Sequence, residues 1–165
     1  MADAETAALV ICLAERLRAR RWRIATAESC TGGLVAACCT DLAGSSDWFE
    51  RGVVSYSNAA KTDLLGVDAG LIERESAVSE AVARAMAAGA LERSPADLVV
   101  AITGIAGPAG GSAAKPVGTV WLAWARRDGE RVVVDACCEW FAGDRATVRQ
   151  ATVRCALRGL IERVP

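Results

Sequence analysis

Histidine is absent from this chain of 165 residues. No Ser-His-Asp triad, Cys-His dyad or His-ligated metal can be assembled from it, so a hydrolytic base must be Lys, a carboxylate, Tyr or an outside group. Lysine is scarce as well: Lys61 and Lys115 are the only two, and every other cation is Arg. Arg is too strongly basic to abstract a proton near neutrality, whereas a desolvated lysine can have its pKa lowered into a useful range. Lys61 is the candidate base, set against the ordinary reading of an exposed helix residue. The candidate nucleophile is Ser29, within Thr-Ala-Glu-Ser-Cys-Thr-Gly-Gly at residues 26 to 33. A strand-to-helix turn there would present its side chain and point the first amides of the helix at whatever docks. Two other readings stay open. Ser29 or Thr31 could simply cap the helix, and Cys30 could be the nucleophile, since thiolates beside helix N-termini are activated.

Polar residues gather where strands are expected to end: Glu28, Ser29 and Thr31; Tyr56, Ser57, Asn58 and Lys61; Thr103 and the glycine-rich run Gly104 to Gly111. Ligands in open α/β sheets dock outside the carboxyl ends of parallel strands, so three such ends converge on one crevice. The glycine run could cradle a phosphate with its backbone N–H groups. Its spacing is neither a Walker loop nor a dinucleotide fingerprint, and a turn-rich hairpin connection explains it equally well. Tyr56, the only tyrosine, reads as a half-buried core ring, and Arg145 either holds a phosphate or makes a surface pair of little energetic value.

The elements that must position these groups follow from periodicity. Leu9, Leu13 and Leu17 mark an amphipathic helix over Ala4 to Arg20. A short strand from Trp22 leads into the Ser29 turn, and the apolar run from Leu34 to Leu42 predicts a buried helix. Arg51 to Tyr56 is a strand, with Ser57-Asn58 capping a helix that Gly66 stops. Leu71 and Ile72 suggest a short helical segment, and Ser79 caps an alanine-rich helix from Glu80 to Leu91. The continuous apolar run Asp97 to Thr103 predicts a central strand covered on both faces. Val117 to Ala125 and Arg131 to Phe141 form two strands around a tight turn at Asp128-Gly129, and a last helix begins near Asp144. The order α-β-α-β-α-α-β-β-β-α predicts a single three-layer α/β/α domain, residues 1 to 165, with a mixed sheet.

Lys plus Arg number 19 and Asp plus Glu 20, so the net charge of −1 provides no field to gather nucleic acid or an acidic membrane. No basic leader and no long apolar run are present, which predicts a cytoplasmic protein. Seven cysteines without CxxC spacing fit neither a disulfide framework nor a zinc knuckle and read as reduced, small apolar residues. The apolar fraction of 53% together with Trp22, Trp48 and Trp140, read as surface-prone, predicts a homodimer or higher homo-oligomer.

Several blocks carry a family resemblance: residues 26 to 33 as quoted, Ala-Gly-Ser-Ser-Asp-Trp-Phe at 43 to 49, Gly-Val-Val-Ser-Tyr-Ser-Asn-Ala-Ala-Lys at 52 to 61, and Ile-Thr-Gly-Ile-Ala-Gly-Pro at 102 to 108. With Lys-Pro-Val-Gly-Thr-Val at 115 to 120 and Phe-Ala-Gly-Asp-Arg at 141 to 145, they resemble the C-terminal domain of the CinA family. The resemblance implies a nicotinamide-mononucleotide deamidase of the Ser-Lys type, releasing nicotinate mononucleotide and ammonia, with Ser29 as nucleophile and Lys61 as base. It implies contacts to a pyridine nucleotide at Glu28, Cys30, Thr31, Gly32, Tyr56, Asn58, Thr103, Gly104, Gly107 and Arg145, with no metal and no cofactor. Longer relatives carry a further N-terminal domain similar to molybdopterin-binding proteins, for which this chain is too short. Two departures stand out: Ala109 and Ala59 occupy positions where relatives often have an acid. A non-catalytic nucleotide-binding or regulatory module, tied to competence or DNA damage, is the alternative reading.

Overall fold

The computed structural model describes residues 3–165. Its centre is β3 (Leu98–Gly104), buried along nearly its whole length because both faces of the sheet are covered there. Alternation along this strand divides the core. Leu98, Val100 and Ile102 point to one face, and Val99 and Ala101 to the other. On the first face lie α1 (Ala4–Arg20), α2 (Leu34–Thr40) and α6 (Arg145–Arg163), packed through Leu13, Val35 and Leu157 among others. On the second lie α3 (Asn58–Leu65), α4 (Ala69–Glu75) and α5 (Glu80–Glu92). Small residues dominate that side: Ala25, Ala27, Ala101, Ala123 and Ala125 on the strands meet Ala83, Ala87 and Ala90 of α5, letting the helix lie close to the sheet.

The sheet runs in the order β2-β1-β3-β4-β5. β1 (Ile24–Glu28) is parallel to β2 (Phe49–Val54) on one side and to β3 on the other. β4 (Thr119–Asp128) and β5 (Arg131–Trp140) add antiparallel strands beyond β3. The carboxyl ends of β1, β2 and β3 therefore open at the same edge of the sheet, and the predicted mixed three-layer α/β/α architecture holds.

Helix boundaries follow side-chain caps. Asp3, Ser57, Asp68, Ser79 and Asp144 each accept a hydrogen bond from an amide two or three residues on, opening α1, α3, α4, α5 and α6. Gly66 ends α3 in the left-handed conformation, as its sequence position predicts.

Four expectations change. The short helical segment expected around Leu71 and Ile72 is present as α4, which the predicted order omits, so three helices rather than two separate β2 from β3. β2 begins at Phe49 and ends at Val54, two residues before its predicted bounds, because it pairs with β1 from Ile24 onward, with a bulge at Glu50. The β4–β5 turn is Gly129-Glu130, since Asp128 still pairs with Arg131, and only Gly129 takes positive φ. Trp48, read as surface-prone, is 0% exposed in the α1–α2–α6 core. No helix among the described residues is long and apolar enough to cross a membrane.

Candidate active site

Ser29 is the first residue beyond β1, and its backbone is tied to both neighbouring strands. Its N–H donates to the Ile102 carbonyl of β3 at 3.0 Å, and the Ser55 N–H beyond β2 donates to the Glu28 carbonyl at 2.9 Å. The chain then reverses through Gly32 and Gly33, at φ +59° and +94°, a tandem that no pair of side-chain-bearing residues adopts without strain. The Gly32 N–H closes the turn on the Ser29 carbonyl at 3.0 Å.

The N-terminus of α2 is not open to a ligand. Gly33 precedes the helix and offers no side-chain cap. Instead the Glu28 carboxylate, 0% exposed, accepts from the N–H groups of Gly33 at 3.0 Å, Val35 at 3.1 Å and Ala36 at 2.9 Å. These are the donors that the sequence reading assigned to an anion. Neither Ser29 nor Thr31 caps the helix, and Glu28 serves the backbone rather than the cleft. What remains unpaired is one step earlier in the chain: among the described residues, the Cys30 and Thr31 N–H groups donate to no other residue, and of the two only Cys30 lines the cleft.

Lys61 lies in the first turn of α3, which Ser57 caps through the Ala60 N–H at 3.0 Å. It is not an exposed helix residue: only 2% of it is accessible. The Nζ lies 3.2 Å from Ser29 Oγ, 3.1 Å from the Ser55 carbonyl and 3.3 Å from the Tyr56 carbonyl. No carboxylate among the described residues pairs with it. Burial therefore holds its pKa below the ordinary lysine range, opposed only by the neighbouring Cys30. With two N–H bonds spent on the two carbonyls, a neutral amine turns its lone pair toward the Ser29 hydroxyl.

Around this contact opens a cleft of about 280 Å³, between the ends of β1, β2 and β3 and the start of α6. Of the predicted residues, Ser29, Cys30, Tyr56, Asn58, Lys61, Thr103, Gly104, Gly107 and Arg145 line it; Glu28, Thr31 and Gly32 do not. Arg145, the first residue of α6, bridges the cleft's two sides by donating to the Gly107 carbonyl at 3.0 Å and to the Tyr56 hydroxyl at 3.1 Å. Tyr56 is no core ring; 59% of it is exposed at the rim. The Thr103 hydroxyl donates to the Ala77 carbonyl at 2.7 Å, fastening the segment before α5 over the cleft. That segment, Ala77 and Val78, lines the cleft and carries no chemical signal that a sequence reading could detect.

Charge in the cleft is one-sided. Arg145 lines it and no Asp or Glu does; Lys61 adds a second positive charge whenever it is protonated, and Ala109 stands on its wall. Such a cleft favours an anionic ligand. Cys30 is unsuited to the nucleophile's role: burial, the largest cause, pushes its thiol pKa up to about 11, the opposite of activation. A second cavity of about 320 Å³, bounded by α1, α2 and α6, contains neither a serine nor a lysine.

The sequence profile of the CinA C-terminal domain matches residues 6–164. Curated relatives include the nicotinamide-nucleotide amidohydrolase PncC of Escherichia coli strain K12, 49% identical over 160 residues, covering 97% of this chain and 95% of that protein. PncC of Enterobacter agglomerans is 52% identical over 150 residues, covering 88% of this chain and 90% of the relative. Among solved structures, the competence/damage inducible protein CihA from Agrobacterium tumefaciens superposes with a TM-score of 0.92 at 44% identity, covering 98% of this chain and 97% of that one.

Proposed function

The chain belongs to the CinA C-terminal domain family, and from that membership together with the contact between Ser29 and Lys61 we propose that it hydrolyses the carboxamide of nicotinamide mononucleotide, giving nicotinate mononucleotide and ammonia. The name of its relatives supplies the substrate class. The observation that carries the mechanism is the 3.2 Å approach of a buried lysine, with no acidic partner among the described residues, to the serine at the strand end.

Neutral Lys61 takes the proton from Ser29 as Oγ attacks the carboxamide carbon. Burial lowers the pKa of the amine, and the Ser55 and Tyr56 carbonyls then hold the ammonium that forms. The Cys30 N–H, on the cleft wall and free of partners on other residues, receives the oxyanion. As the tetrahedral adduct collapses, Lys61 returns the proton to the departing nitrogen, which leaves as ammonia. A serine ester remains. Water then gives a proton to Lys61 and its oxygen to the acyl carbon, and Ser29 recovers its proton as the carboxylate is released. No step calls for a redox partner, and water is the one co-reactant.

Arg145 at the rim takes the phosphate, with Asn58, Gly104 and Gly107 beside the ribose, and the Tyr56 ring forms the outer wall. Glu28, Thr31 and Gly32 shape the turn without touching the nucleotide. The test is ammonia release from nicotinamide mononucleotide by purified protein, with Ser29→Ala and Lys61→Ala alongside. Loss of at least about 10³-fold in kcat for both folded variants is expected. Nucleotide binding with no ammonia from the unaltered protein would instead favour a non-catalytic module.

A further inference from the structure

Away from the cleft, Cys137 and Glu139 of β5 and Cys155 of α6 bring two sulfurs and a carboxylate oxygen together, with all three ligand atoms within 4.8 Å of one another. Cys137 and Glu139 are two residues apart on one strand and so project from the same face, the one that α6 covers. Cys155 meets them near the middle of that helix, its sulfur within 4.8 Å of the Cys137 sulfur and of the Glu139 carboxylate. Cys138, between the two on β5, is exposed and lies on the opposite face.

We propose that Cys137, Glu139 and Cys155 form a binding site for a thiophilic divalent cation, Zn²⁺ being the fitting ion, which ties the edge strand β5 to α6. The donor set decides the metal class. Two thiolates with one carboxylate suit a borderline-soft tetrahedral ion, whereas Mg²⁺ and Ca²⁺ require oxygen shells. Tetrahedral bonds of about 2.3 Å to sulfur place two sulfurs about 3.8 Å apart, so the ligand atoms need move by no more than about 1 Å to close on the ion. The fourth position is left to water.

Two thiolates and a carboxylate around a divalent ion leave one negative charge; Arg158 and Arg163 lie near the sulfurs, and so does Glu162. Those arginines are held by partners on other elements, Arg158 by Glu5 of α1 and Arg163 by Asp135 of β5 at 3.3 Å. Binding replaces two S–H bonds with two metal–sulfur bonds and releases the two protons to solvent, with no change of oxidation state. None of the three ligands lines the cleft, so the proposal is independent of the hydrolytic reading.

The full-length protein is titrated with Co²⁺ and separately with Zn²⁺ in the presence of a phosphine reductant. A near-ultraviolet sulfur-to-cobalt charge-transfer band is expected at one ion per chain. It should fall to about half in Cys137→Ser or Cys155→Ser, vanish in the double variant and persist in Cys138→Ser. Zn²⁺ should displace Co²⁺, release about two protons per ion at neutral pH and raise the unfolding midpoint reversibly. Should the cysteine variants fail to fold, Glu139→Gln reads the same site, with an intact band and at least about tenfold weaker affinity. Absence of the band in the unaltered protein, its survival in the double variant, or unchanged affinity in Glu139→Gln overturns the assignment.

Discussion

Replacing Glu28 by Gln separates a residue that binds substrate from one that builds the turn. The carboxylate accepts three amides through two oxygens: Oε2 takes Gly33 and Val35 at 3.0 and 3.1 Å, and Oε1 takes Ala36 at 2.9 Å. A carboxamide keeps one acceptor. In its better orientation it retains Gly33 and Val35 at the lower strength of neutral bonds and turns an NH₂ against the Ala36 N–H. One charge-assisted bond is worth about 1.5–3 kcal/mol, and the two weakened bonds add somewhat less than 1 kcal/mol each. Cheaper burial of the neutral amide offsets part of this, so a net loss of about 2–4 kcal/mol is expected. For a chain of this size that lowers the unfolding midpoint by roughly 5–15 °C. Thermal and urea unfolding measure the loss, and steady-state ammonia release on the folded variant locates the kinetic effect. A capping role puts that effect in kcat, because the turn carrying Ser29 and the Cys30 and Thr31 amides is loosened. A midpoint within about 2 °C of the unaltered protein, accompanied by a raised KM, would refute the capping argument and return Glu28 to the nucleotide.

Lysine burial sets the pH behaviour: kcat/KM should rise as Lys61 deprotonates, with a midpoint below the ordinary lysine value of 10.5 because burial lowers it; a midpoint at or above that value contradicts the assignment. The sign for stability follows the same shift. Between the folded pKa and 10.5 the unfolded lysine holds a proton that the folded one lacks, so stability rises with pH across that window, and urea titrations should show this slope vanish in Lys61→Met. Cys30→Ala is expected to keep kcat within about threefold, since a thiol with its pKa near 11 takes no part in the chemistry; activity lost in a folded variant would restore the thiol as nucleophile. Arg145→Ala should raise KM for nicotinamide mononucleotide about 10- to 100-fold and leave nicotinamide riboside nearly unaffected, because only the mononucleotide carries the phosphate.

The parts of the fold that could be read in advance were those with a strong local period or a strong cap. β3 announces itself as an unbroken apolar run, and Ser57, Ser79 and Asp144 stand where their side chains meet the expected amides. α4 is seven residues with a single buried side chain, Ile72, and so generates almost no periodic signal. Trp48 was misread because burial of a tryptophan depends on which elements gather around it, and this one lies in the cluster shared by α1, α2 and α6.

At the site, residue types pointed to Ser29 and Lys61, but the spacing of 32 residues between them could not show that the side chains meet. The carbonyls of Ser55 and Tyr56 are invisible to any reading of side-chain types, since every residue carries one. Glu28 was legible in principle. A helix beginning after Gly-Gly has no Ser, Thr, Asp or Asn at its start, and a carboxylate at the end of the preceding strand is the nearest group able to replace one.

Both carbonyls that cradle the lysine belong to the chain just past β2, the outermost strand, paired on one side only and with Val54 already 46% exposed. Peripheral strands are the first to detach in native-state fluctuations. Each such excursion releases the amine into water, where it regains its proton and, on the proposed mechanism, can no longer act as the base. The fraction of molecules ready to turn over is thus governed by how firmly the rim of the sheet is stitched, and hydrogen exchange at residues 49–54 should track catalytic rate more closely than exchange anywhere in the interior.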